Sequence, residues 1–160
     1  MPNKLTVLLA LLTILGFGCG KSSTYKTKEG EVKIDRKGNQ ASYEMTTKEG
    51  QTKVTASESG VSLPDNFPKD VPIFKGATVK LTSTQGNAQV VHLAVSASVA
   101  DSAKFYQEQL KEQGWEIEAT MNMGETMMTS AKKGDRKCTV NVFKSGQETM
   151  VQIVVAQEKS

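Results

Sequence analysis

Ser98-Val-Ala-Asp-Ser-Ala-Lys-Phe-Tyr-Gln-Glu-Gln-Leu-Lys-Glu-Gln-Gly-Trp115 is marked as a helix at both ends and along one face. Ser98 followed three residues later by Asp101 reads as a capping box: the hydroxyl meets an orphan N–H, and the carboxylate stands beside the positive end of the helix dipole. Gly114 closes the helix, because glycine takes the left-handed turn at least steric cost, and Trp115 can fold back onto the last turn. Between these ends Val99, Ala103, Tyr106 and Leu110 recur at helical spacing, while Lys104, Glu108, Lys111 and Glu112 occupy other faces and pair along the surface. A helix over Ser98 to Gln113 is marginal alone in water. Its stripe therefore needs a surface to lie on, and both flanks read as strand.

Working outward, strands are expected at Thr78 to Ser83, Gln89 to Ser96, Trp115 to Met121, Thr126 to Lys132, Lys137 to Lys144 and Glu148 to Ala156. Turns at Gln85-Gly86-Asn87, Gly124, Gly134-Asp135 and Ser145-Gly146 separate all but the pair joined by the helix. The expected fold of residues 78–160 is α+β, an antiparallel sheet in the order ββαββββ with the helix packed on one face. Alternation turns Val91, Leu93 and Val95, Trp115 and Ile117, Cys138, Val140 and Val142, and Val151, Ile153 and Val155 toward the helix. The opposite face carries Val90, His92, Phe143, Met150 and Val154. That is more apolar than an open face needs, so either the first half of the chain covers it or a partner does, and it is the candidate interaction face.

Ahead of this domain, residues 61–77 hold Pro64, Pro68 and Pro72, which forbid regular helix and suit a stiff extended connector. Its Phe67, Val71, Ile73 and Phe74 are too apolar for a free linker and are expected to pack along the edge of the domain. Residues 25–60 partly repeat: Tyr25-Lys-Thr-Lys-Glu-Gly30 and Tyr43-Glu-Met-Thr-Thr-Lys-Glu-Gly50 each run into an alternating stretch, which predicts a small β-meander of hairpins. Its lysines are interspersed with acids, as on solvated strand faces.

Residues 1–18 have the build of a signal peptide: Lys4, an apolar run from Leu5 to Phe17, and Gly18 before Cys19. Apolar residues ending in a small residue and a cysteine resemble a bacterial lipoprotein signal. That resemblance implies that Cys19 is acylated and that residues 19–24 form the tether to a membrane, the outer membrane if the organism has one. Gly16 and Gly18 also fit ordinary signal cleavage, which would cut the same bond and leave Cys19 a free thiol. Leu63-Pro-x-x-Phe-Pro-x-Asp-Val-Pro72 with Gly76-Ala77, followed by Phe105-Tyr106-x-x-x-Leu110-x-x-x-Gly114-Trp115, resembles a recurrent pattern of uncharacterised bacterial envelope lipoproteins. The resemblance implies an exported, anchored α+β domain of unassigned function and offers no catalytic residues.

Composition narrows the chemistry. With net charge +3, 23% charged residues and both signs interspersed, the chain lacks the basic stripe of a nucleic-acid binder. Two cysteines, Cys19 and Cys138, make neither a disulfide framework nor a metal spacing, and Cys138 among alternating valines reads as core filling. His92 is the only histidine, no Gly-x-Ser-x-Gly elbow or phosphate-cradling loop is present, and neither an enzyme nor a cofactor is expected. Met121, Met123, Met127 and Met128 flank one turn. Thioethers are soft donors, so a periplasmic copper or small-ligand carrier is the alternative to a non-catalytic binding or scaffold role at the membrane. Lys132, Lys133, Arg136 and Lys137 surround another turn, where charge protects a hairpin tip.

Overall fold

The computed structural model describes residues 22–27, 30–47 and 50–158. The strands are β1 (Ser22–Thr27), β2 (Gly30–Lys37), β3 (Gln40–Thr47), β4 (Gly50–Ser57), β5 (Thr78–Gln85) and β6 (Ala88–Val95). After helix α1 (Val99–Glu112) come β7 (Glu116–Met123), β8 (Thr126–Lys133), β9 (Arg136–Ser145) and β10 (Glu148–Gln157). All of them join one ten-stranded antiparallel sheet in the order β1-β2-β3-β4-β5-β6-β10-β9-β8-β7. The expectation of an α+β domain, ββαββββ, with a small meander set ahead of it is therefore corrected: the described residues are nearly all antiparallel sheet, with one helix among them. The reason is edge pairing. Thr52 to Ala56 of β4 pair with Leu81 to Gln85 of β5, so two edges that would each leave unpaired backbone groups satisfy one another. Ser22 to Thr24, read as tether, begin β1, whereas the signal peptide and Cys19 lie outside the described residues.

Helix α1 closes by local chemistry. The Asp101 N–H donates to Ser98 Oγ at 3.1 Å, and the Ser98 hydroxyl donates to Asp101 Oδ2 at 2.6 Å. At the other end Gly114 takes φ +80°, which lets the Trp115 N–H reach the Leu110 carbonyl at 2.9 Å. The helix lies over β7, β8 and β9, burying Ala103, Tyr106 and Leu110 against Ala131, Cys138 and Val140.

One helix cannot cover ten strands, and the proline-rich connector covers part of the remainder. It packs beside the helix on the same face of the sheet, with Phe67 and Val71 joining the core cluster that also holds Val91, Leu93 and Ile153. The Phe74 N–H donates to Tyr106 Oη at 3.3 Å, and the Phe74 and Phe105 rings lie 4.8 Å apart. Asp70 locks the connector down. It accepts two bonds from Arg136 Nη1 and Nη2, at 3.0 and 2.6 Å, and one from Lys133 Nζ at 2.7 Å. Its carbonyl accepts the Trp115 indole N–H at 2.8 Å, and the Arg136 guanidinium sits 4.9 Å from the centre of that indole.

Candidate functional site

Neither the helix nor the connector touches the far face of the sheet. There the structure places Val90, His92, Phe143, Met150 and Val154, half-buried, each next to a buried neighbour such as Val91, Leu93, Val142, Val151 or Val155. The described strands of the first half, β1 to β4, do not lie over them. These strands extend the sheet sideways, and strand register carries their own apolar residues onto the same face. One row of facing residues runs Ile34, Tyr43, Val54, Ser83, Val90, Val154, Thr139 and Ser130. A second runs Ala41, Ala56, Leu81, His92, Gln152, Asn141, Met128 and Met121. A third runs Ala94, Met150, Phe143, Thr126 and Met123. Charge reaches these rows only at the margins, with Arg36 opposite Ala41 and Glu118 in the bulge between Ile117 and Ala119.

The polar groups within this face satisfy each other. The Gln152 amide nitrogen lies 3.1 Å from His92 Nε2, and Asn141 donates to Gln152 Oε1 at 3.1 Å. An amide nitrogen only donates, so the imidazole accepts at Nε2 and is neutral, in keeping with burial holding its pKa below the ordinary value. No carboxylate orients it, and a nucleophile–base pair is not assembled there. Among the described residues no three of His, Cys, Asp and Glu are grouped to hold a metal. The methionine cluster is divided by the strand alternation. Met121 faces Met128 across β7 and β8, and Met123 stands on the same side, 59% exposed, whereas Met127 pairs with Val142 and packs on the core.

The four basic side chains of the β8–β9 turn are all engaged. Lys133 and Arg136 hold Asp70, Lys132 meets Glu158 at 2.8 Å, and Lys137 meets Glu118 at 3.5 Å. Sequence reading missed Asp70 as their partner because it lies 66 residues from Arg136, beyond the reach of any local pattern. On the helix side an open cleft of about 590 Å³ lies between Thr55, Thr82, Thr84 and the loop at Leu63 and Asp65; it is shallow and mostly polar. Cys138 is fully buried as a free thiol, and burial pushes its pKa up to about 12. Native protein is therefore expected to leave Cys138 unlabelled by iodoacetamide at pH 8 and to label it fully in urea; native labelling at the denatured rate would show the core to be open.

Residues 76–153 match the model of a family described as START domain-like. The match runs from just before β5 into β10 and takes in the helix and, of the five face residues, all but Val154. No curated protein and no solved structure matches the chain.

Proposed function

We propose that the protein is a bacterial envelope lipoprotein, held at a membrane through Cys19, that acts by binding without catalysis through the uncovered face of its sheet. The observation that carries this reading is a face running across the strands from Ile34 to Met121 in which apolar residues surround the His92–Gln152–Asn141 cluster and charge stands only at the margins. A face on which Ile34, Tyr43, Val54, Val90, Phe143, Met150 and Val154 all stay partly accessible is the kind of surface that marks an interaction site. The anchor follows from the apolar run ending at Gly18-Cys19, which stands three residues ahead of β1. Acyl chains contribute about 0.8 kcal/mol per buried methylene, so two or more hold a chain at a bilayer durably.

Two measurements test the reading. The intact mass of chain recovered from membranes is expected to exceed that of a polypeptide starting at Cys19 by its acyl groups. Phe143→Asp, placed in the uncovered face, is expected to preserve the far-ultraviolet circular dichroism while reducing recovery of crosslinked partner at least tenfold. An unmodified Cys19 in freely soluble protein would remove the anchor, and unchanged partner recovery with unchanged stability would remove the binding face.

A further inference from the structure

We infer that the occupant of the uncovered face is the same face of a second copy of this chain, the two sheets closing into a sandwich; this rests on reading that face as a binding surface. Size is the first argument. The three rows cross eight, eight and five strands, and at about 4.8 Å between strands and about 6.8 Å between rows they cover on the order of 700 Å². That is about what one partner contributes to a stable interface. A small apolar ligand would leave most of it in water.

Shape is the second argument. Adjacent strands rotate by roughly 20°, so the outermost strands of a sheet this wide diverge strongly, and a planar bilayer can meet only a few of them. A second copy carries the same twist and follows it from edge to edge, as paired sheets do in sandwiches. The distribution of charge agrees. In β2, β3 and β4 the opposite side carries Lys33, Glu44 and Lys53 in facing positions, a solvated surface, so Ile34, Tyr43 and Val54 gain cover only from the uncovered side. The margins of that side hold Arg36 and Glu118, a charged rim around a centre where the mutually satisfied His92, Gln152 and Asn141 lie among Val90, Val154, Met150 and Phe143. Pairing of like faces is isologous and stops at two copies.

The test uses the full mature chain in density-matched detergent, with sedimentation equilibrium as the readout. A photoreactive phenylalanine analogue is placed in turn at Tyr43, at Phe143 and, as a control on the solvated side, at Lys33. The expected result is a two-chain species, with photoproducts of twice the chain mass from Tyr43 and Phe143 and none from Lys33. Val154→Asp at the centre of the face is expected to weaken self-association on the order of 100-fold. If that variant does not fold, the photoproducts decide alone. A single-chain species whose photoproducts carry detergent, lipid or another protein would overturn the pairing and leave the binding face standing. No photoproduct from either aromatic position would overturn both.

Discussion

Replacing Trp115 by alanine is expected to destabilise the protein by about 3–5 kcal/mol, the range for deleting a large buried aromatic. Trp115 is 2% exposed and follows Gly114 at the point where the helix turns back to the sheet. Its ring fills the space between helix, connector and the β8–β9 hairpin, its indole N–H is bound by the Asp70 carbonyl at 2.8 Å, and Arg136 lies over its face. Alanine would leave a cavity and an orphaned carbonyl at once, and the surrounding strands cannot collapse into the space without breaking their ladders. Urea unfolding is the measurement. The midpoint should fall while its slope holds, and the thermal midpoint should drop by on the order of 10 °C. A loss under about 1 kcal/mol would mean that the connector is not fastened there.

Asp70→Asn removes the charge from the clamp and is expected to cost about 2 kcal/mol near neutral pH, the scale for hydrogen bonds to a charged group that retains some exposure. Arg136, then Lys133, hold the Asp70 carboxyl well below the ordinary carboxylate value of 3.8. A depressed folded value means that the stabilisation is complete above 3.8 and is lost progressively as pH falls below it toward the folded value. The gap between wild type and Asp70→Asn, measured by urea unfolding, should therefore be constant from pH 7 down to about 5 and shrink as the pH falls below 3.8. A gap that stays the same at pH 3 would show that the charge is not what joins connector to sheet. Arg136 is shifted upward by the same contact, so it remains a cation throughout this window.

The helix and its ends were legible because their signals lie within one element. Ser98, Gly114 and the Ala103-Tyr106-Leu110 stripe each act on neighbours within a turn or two. Strand faces were legible for the same reason: alternation of Cys138, Val140 and Val142 with Thr139 and Asn141 states which side faces the core before any partner strand is known. The clamp was not legible. Asp70 and Arg136 each have close charged neighbours in sequence, and nothing in their spacing selects one another.

By itself the sequence determined the helix at Val99–Glu112, the turns and the two-sidedness of each strand, all of which depend on backbone preferences and periodicity over about ten residues. Only the tertiary structure decided that β4 joins β5, that the meander extends the sheet instead of covering it, and that Ile34, Tyr43 and Val54 continue the surface begun by Val90 and Val154. The physical reason is that strand pairing is made by backbone N–H and C=O groups, which every residue here except proline supplies alike. Which edges meet is settled by chain closure and by the connector's descent onto the helix face, and neither leaves a mark in the local pattern of side chains.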